Sequence, residues 1–154
     1  MATRTESRPI ADDELLIQRS FDAPAALVFR IWEDADQRIK WWGPKDFRCT
    51  TFEHDFRIGG KWRARIQSPT MQSWMGGEYR VIERDQRLIF TFAWADHPDQ
   101  PKEQTLVTVD FREDNGRTIQ TFHQSPFAKL ETRDSHIGGW QSLFDVEETY
   151  LKNL

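Results

Sequence analysis

Two histidines and one glutamate are the side chains whose positions favour proton-transfer chemistry. Strand alternation places His123 on the face of Ile119, which predicts that it points inward. His136 and Glu147 fall on the apolar stripe of a C-terminal helix centred on Trp140. Histidine exchanges protons near neutral pH, and a carboxyl group on an apolar stripe is costly to bury unless it is paired or protonated. All three are candidates to hydrogen-bond a ligand or to act as acid or base.

Each of these residues also has a structural interpretation. A partly buried histidine whose nitrogens are satisfied by neighbouring groups explains His123 and His136 without any ligand. Glu147 can lie at the rim of the core or pair with an arginine such as Arg63 or Arg65.

Aromatic side chains are the second candidate set. The chain has 7 Trp, 2 Tyr and 11 Phe, although 30% of its residues are charged and its mean hydropathy is -0.74. Rings on inward faces either fill a core or line a small-molecule site, so both interpretations stay open for each ring. The rings predicted to face inward and line a ligand pocket are Trp62, Trp74, Tyr79, Phe92, Trp94, Trp140 and Phe144.

Motifs for several other chemistries are missing. There is no HExxH, and Cys49 has no CxxC partner, so we expect no metal site. Neither GxGxxG nor GxxxxGK[ST] occurs, and no serine fits GxSxG. The sequence therefore predicts no nucleotide or other cofactor and gives no support to an esterase-type triad.

Charge and hydropathy restrict the partners and the compartment. The net charge of -4 argues against a nucleic-acid partner, which calls for a basic domain. No apolar run approaches the roughly 20 residues that cross a bilayer, so no membrane span is expected. The first seven residues lack the apolar run of a signal peptide, which favours a cytoplasmic location.

The elements that position these side chains follow from periodicity. Residues 14–21 predict a strand, 25–32 and 36–41 predict two short helices, and 132–154 predict a long amphipathic helix. Six further strands are predicted at 47–56, 61–67, 74–83, 86–95, 105–111 and 117–124. Consecutive strands joined by short turns form antiparallel sheets.

The order of these elements predicts the fold class α+β, with a helix-grip fold. A curved antiparallel β-sheet is wrapped around a long C-terminal helix, and two short helices come after the first strand. We expect residues 14–154 to form a single domain and residues 1–13 to form a flexible N-terminal arm. Gly138 and Gly139 near the start of the long helix each cost about 1 kcal/mol relative to Ala. Close approach of a strand or room for a ligand would compensate.

Six segments carry a resemblance to a known family over residues 14–154. The chain resembles the homologues of the activator of heat-shock-protein-90 ATPase, within the SRPBCC superfamily of START and birch-pollen-allergen-like folds. The segments are Phe21-Asp22-Ala23-Pro24, Trp41-Trp42-Gly43-Pro44, Phe56-Arg57-Ile58-Gly59-Gly60-Lys61-Trp62, Gly77-Glu78-Tyr79, Arg87-Leu88-Ile89-Phe90-Thr91-Phe92 and His136-Ile137-Gly138-Gly139-Trp140.

The resemblance implies a helix-grip fold with a deep apolar pocket. It implies no single activity, because the superfamily includes lipid and hormone carriers as well as polyketide cyclases and aromatases. The leading hypothesis is a monomer or homodimer that binds a small hydrophobic or aromatic, lipid-like molecule between the sheet and the last helix. The alternatives are a cyclase, dehydratase or hydrolase that uses His123, His136 or Glu147, and an interaction protein associated with a chaperone or a regulator.

Overall fold

The computed structural model describes residues 10–95 and 104–154 of the chain. Strand β1 (Leu15–Phe21) is followed by helices α1 (Ala25–Glu33) and α2 (Ala35–Arg38). Six strands follow, namely β2 (Arg48–His54), β3 (Lys61–Gln67), β4 (Gln72–Glu83), β5 (Arg87–Trp94), β6 (Thr105–Asp114) and β7 (Arg117–Ser125). Helix α3 (Leu130–Lys152) completes the described chain.

The strands form one antiparallel sheet in the order β1-β7-β6-β5-β4-β3-β2. The sheet is curved, and the aromatic residues of α3 pack on its inner face, as the contacts of Trp140 and Phe144 with Phe122 on β7 show. The predicted helix-grip fold is confirmed, including the two short helices after the first strand.

Alternation of apolar and polar residues explains the inner face of most strands. Leu88, Phe90 and Phe92 on β5 are buried, whereas Arg87 at the start of the strand is exposed. The same pattern buries Trp62, Ala64 and Ile66 on β3. One wholly apolar face is enough to fix the side that a strand turns toward the core.

The predicted N-terminal arm at residues 1–13 falls largely outside the described residues. Its end is held by the connection between β7 and α3, because the Asp13 carbonyl accepts a hydrogen bond from the Phe127 amide over 2.8 Å. Glu14 then contacts His123 on β7.

No helix of the described residues is long and apolar enough to cross a bilayer.

Candidate functional site

A cavity of about 180 Å³ lies between the first half of α3, strands β3 to β5 and the segment that follows α2. Most of its wall is apolar, and its polar side chains are two serines and a histidine. The lining residues are Trp42, Gly43, Pro44, Phe47, Ile66, Met71, Ser73, Met75, Phe92, Trp94, Ser135, His136, Gly139, Trp140 and Leu143. Apolar walls with a few polar groups are typical of small-molecule sites.

Four residues predicted for the pocket line this cavity: Phe92, Trp94, His136 and Trp140. Phe92 and Trp94 belong to the inward face of β5, and their rings lie 5.3 Å apart, edge to face. His136 and Trp140 are one turn apart on α3, and the rings of Phe92 and Trp140 lie 5.7 Å apart. The helix and the sheet thus meet through aromatic contacts at the wall.

Both ring nitrogens of His136 are engaged. Nε2 accepts a hydrogen bond from Trp94 Nε1 over 2.9 Å, and Nδ1 lies 2.8 Å from the Thr132 carbonyl oxygen. An indole nitrogen can only donate and a carbonyl oxygen can only accept, so Nε2 carries no proton and Nδ1 carries one. In this arrangement His136 links Trp94 on β5 to the backbone of α3. Both nitrogens of His136 are thereby occupied by protein groups and do not face a ligand.

Trp140 is anchored to the sheet by a chain of buried hydrogen bonds. Its Nε1 donates to Gln124 Oε1 over 2.7 Å, and Gln124 Nε2 donates to Thr105 Oγ1 over 2.8 Å. The Thr105 hydroxyl in turn donates to the Phe92 carbonyl oxygen over 3.1 Å. These three hydrogen bonds tie Trp140, at the cavity wall, to strands β7, β6 and β5. Each of them gives a buried donor the partner that it needs.

Three of the predicted rings and one of the predicted polar residues are buried elsewhere and do not line the cavity. Trp62 is buried in the core and its Nε1 donates to the Thr91 carbonyl oxygen over 3.0 Å. Phe144 is fully buried against Phe122. Tyr79 and Glu147 are also fully buried away from the lining residues.

The predicted inward orientation of Trp74 is corrected by the structure. Met75 pairs with Trp94 and faces the core, so Trp74 lies on the outer face, where the Arg63 guanidinium lies 5.0 Å from its ring. For Trp74 and Tyr79 to share one face, the alternation between them would have to break, for instance by a bulge at Gly76 and Gly77. The register instead shifts between Tyr79 and Val81, so the alternation before Tyr79 is unbroken.

The orientation of His123 is also corrected. It lies on the outer face of β7, and its Nε2 is 2.6 Å from Glu14 Oε1. The inward residues of the strand are Thr118, Gln120, Phe122 and Gln124. The alternation signal is inverted because Gln120 and Gln124 are polar yet inward, each satisfied by a buried indole nitrogen.

Glu147 has different partners from the arginines considered for it. Its Oε2 accepts from Trp32 Nε1 over 3.0 Å and its Oε1 accepts from Gln120 Nε2 over 3.1 Å. Burial, only partly offset by these hydrogen bonds, raises the pKa of Glu147 to about 8. The carboxyl group is therefore protonated in the folded protein at neutral pH.

Arg38 is a buried cation that the sequence interpretation missed. Its guanidinium carbon lies 4.2 Å from the Trp42 ring centre, 4.5 Å from that of Trp32 and 4.6 Å from that of Phe52. The signal was present in the sequence, since Trp41 and Trp42 follow Arg38 at the i+3 and i+4 spacings that bring side chains together on a helical turn.

Trp42 and Gly139 are two of the cavity residues that were not predicted as binding residues. Trp42 belongs to a segment quoted for the resemblance, and Gly139 was noted for its cost to the helix. A Cβ atom added at Gly138 or Gly139 would have nothing within 4 Å. Close approach of a strand therefore does not explain either glycine.

The hydrogen-bonded side chains of Tyr79 and His54 lie next to Arg38 at the edge strand β2. The Tyr79 hydroxyl lies 2.6 Å from His54 Nδ1, and burial raises the pKa of Tyr79. Burial, together with the charge of Arg38, lowers the pKa of His54 to about 4, so His54 is neutral at pH 7. Among the described residues, no group of three or more His, Cys, Asp or Glu is placed to hold a metal ion.

Solved structures share this architecture. A protein from Chromobacterium violaceum is 20% identical, with a TM-score of 0.82 over 90% of this chain and 96% of that one. A protein from Arthrobacter aurescens is 25% identical, with a TM-score of 0.82 over 98% of this chain and 92% of that one. The AHSA1 protein from Silicibacter pomeroyi is 21% identical, with a TM-score of 0.79 over 90% and 97%. No curated protein matches this chain in sequence.

A family model matches most of the chain as well. The matched region, residues 22–152, begins just after β1 and reaches the end of α3, so it includes every residue that lines the cavity. This protein belongs to the family described as Activator of Hsp90 ATPase homolog 1-like protein.

Proposed function

We propose that this protein binds a small, largely apolar molecule of one or two rings in the cavity between α3 and the sheet. A closed apolar space of roughly 150 Å³ accommodates a benzene molecule. The cavity here measures about 180 Å³ and is lined by three indole rings and two methionines. Rings and thioethers adapt to flat ligands, which supports an aromatic or compact lipid-like molecule.

The observation that carries the proposal is Gly139. Glycine inside a helix costs about 1 kcal/mol relative to alanine. Gly139 lies in the tenth position of the 23-residue helix α3, lines the cavity and has open space where a Cβ atom would stand. The missing side chain therefore keeps volume available in the cavity, at a cost to helix stability that packing does not offset.

The described polar residues favour binding over proton transfer. His123, His136 and Glu147 were candidates for catalysis, but His123 lies on the outer face and Glu147 lies outside the cavity wall. His136 has both nitrogens engaged. An acid and a base must lie within hydrogen-bond reach of the same substrate, and these three side chains do not converge on one space. Association with a chaperone or a regulator stays a prediction from the resemblance.

The test uses 4-fluorotoluene, a neutral single-ring probe, followed by ¹⁹F NMR titration. Gly139→Leu places a side chain in the cavity, whereas the matched Gly138→Leu adds the same side chain at an exposed position next to it. We expect saturable binding to the wild-type protein and to Gly138→Leu, and at least about tenfold weaker binding to Gly139→Leu. Equal binding by both variants, or no binding by the wild-type protein, would contradict the proposal.

A further inference from the structure

Arg38 carries a buried charge without a carboxylate partner. Its side chain is fully buried, and among the described residues no Asp or Glu oxygen lies within 4.0 Å of it. Nη1 donates to the Trp32 carbonyl oxygen over 2.8 Å. Nε and Nη2 have no hydrogen-bond partner among residues 10–95 and 104–154. A buried charge is usually paired, because desolvation of an unpaired ion is costly.

The unpartnered atoms form a recognisable edge of the guanidinium group. Nε–H and one Nη2–H point the same way, and this pair of donors matches the two oxygens of a carboxylate. Nearby groups do not supply such an acceptor. The Tyr79 hydroxyl lies close enough to interact with Arg38 by charge and hydrogen bonding and so opposes the lowering of the pKa of Arg38 by burial, but at this geometry it leaves Nε and Nη2 unsatisfied.

Trp42 connects the Arg38 guanidinium group to the cavity. Its ring lies 4.2 Å from the Arg38 guanidinium carbon, and the same side chain lines the cavity wall. Arg38 itself does not line the cavity, so it stands one side chain behind the wall. An anion in the cavity reaches Arg38 only if the Trp42 ring moves.

Movement of the Trp42 ring would break ring contacts, those with Trp41, Trp62 and Trp140 among them, but no hydrogen bond of its indole nitrogen to the described residues. In the part of the chain that the structure describes, its Nε1 is buried without a partner, whereas the indole nitrogens of the buried residues Trp32, Trp41, Trp62 and Trp140 all donate hydrogen bonds. The next residue, Gly43, has φ of 141°, a conformation that favours glycine. Rotation of Trp42 therefore breaks no side-chain hydrogen bond.

We propose that the ligand is an organic carboxylate with a single- or double-ring body, and that Trp42 moves aside so that the carboxylate pairs with the Nε and Nη2 edge of Arg38. This proposal rests on the proposed function, since the ring of the ligand occupies the cavity. It assigns the buried guanidinium as the group that selects an anionic ligand over a neutral one of the same size. The protein without ligand keeps this charge among aromatic faces, which attract a cation.

Three probes of nearly equal size test the assignment by ¹⁹F NMR titration at pH 7: 4-fluorotoluene, 4-fluorobenzamide and 4-fluorobenzoate. A charge-assisted, bidentate hydrogen bond predicts about tenfold or greater preference of the wild-type protein for 4-fluorobenzoate over both neutral probes. Arg38→Met, which removes the charge but keeps an unbranched side chain, is expected to lose that preference. The control Arg63→Met on the exposed outer face is expected to retain it.

The outcomes separate the two proposals. Tighter binding of 4-fluorotoluene than of 4-fluorobenzoate by the wild-type protein, or a preference for the carboxylate that survives in Arg38→Met, overturns the role of Arg38 and leaves the cavity as an apolar site. Absence of 4-fluorotoluene binding by the wild-type protein overturns the proposed function itself. If Arg38→Met does not fold, the ¹H NMR resonance of the Arg38 Nε–H group in the wild-type protein shows whether the carboxylate pairs with Arg38. A downfield shift with 4-fluorobenzoate but not with 4-fluorobenzamide supports the pairing, and an unchanged resonance overturns it.

Discussion

The carboxyl group of Glu147 accepts a hydrogen bond from the indole nitrogen of Trp32 over 3.0 Å, and both side chains are fully buried. The pair joins α3 to α1 inside the core, with Gln120 of β7 as a third member. Because Glu147 is buried with a pKa of about 8, this junction is stable in its protonated form. The polar residue on the apolar stripe thus has a structural partner rather than a place in the cavity.

Glu147→Gln should remove a pH dependence of stability. The folded-state pKa of Glu147 is raised above its unfolded value of about 4.5, so its contribution is fully present below pH 4.5 and is lost as the pH rises to about 8. We expect the free energy of unfolding of the wild-type protein to fall by a few kcal/mol across this window relative to Glu147→Gln. Urea unfolding at pH 5 and pH 9 measures the difference, and Glu148→Gln serves as the neighbouring control. Parallel pH profiles for the wild-type protein and Glu147→Gln would contradict the assignment.

Gly138→Ala and Gly139→Ala should each stabilise the protein. Alanine is better than glycine inside a helix by about 1 kcal/mol, and an added Cβ atom has open space at both positions. Thermal unfolding should show a higher Tm for both variants. A lower Tm for Gly139→Ala would mean that the glycine is required by packing and not by the cavity.

Gln124→Met should weaken the anchoring of Trp140. The substitution leaves the Trp140 Nε1 without its acceptor in a buried setting, which costs about 1 to 3 kcal/mol. Gln18→Met is the matched control, since Gln18 is part-buried and donates to the Thr121 hydroxyl on the neighbouring strand β7. Urea unfolding should show a clear loss of stability for Gln124→Met and a much smaller one for Gln18→Met. Equal losses would show that the buried hydrogen-bond chain has no special role.

Two adjacent tryptophans should respond differently to the same substitution. Trp41 Nε1 donates to the Ile31 carbonyl oxygen over 3.1 Å, whereas Trp42 Nε1 has no partner among the described residues. Trp41→Phe therefore loses a buried hydrogen bond that Trp42→Phe does not, and should cost about 1 kcal/mol more. Chemical denaturation of the two variants measures this difference. A larger loss for Trp42→Phe would indicate that its indole nitrogen has an acceptor in solution and would weaken the case for its movement.

Sequence periodicity located the strands well where one face is wholly apolar. On β5 the alternation of Leu88, Phe90, Phe92 and Trp94 predicted the inward face, because burial of large apolar groups dominates the choice of side. On β7 the same reasoning failed, since hydrogen bonds to buried indole nitrogens make Gln120 and Gln124 as suitable for the interior as apolar residues. On β4 the position of a register shift decides the side of Trp74, and no local pattern marks it.

The cavity depends on contacts between distant segments, which limits what the sequence can predict. His136 and Trp140 were placed on the wall by helical spacing, but Trp42 and Ile66 reach it only through tertiary packing. Arg38 resembles a surface residue by type, and its burial follows from rings contributed by α1, β2 and its own helical turn. The cost of Gly139 was visible in the sequence, but its cause required the geometry of the wall.

Occupation of the cavity by a small-ring ligand is tested most directly by anomalous scattering. Crystals grown with 4-bromotoluene should give a bromine peak bounded by Met75, Phe92 and Trp140, three of the residues that line the cavity. A matched crystal of Gly139→Leu should lack the peak. A bromine peak only at the protein surface, or an empty cavity at saturating 4-bromotoluene, would contradict the claim.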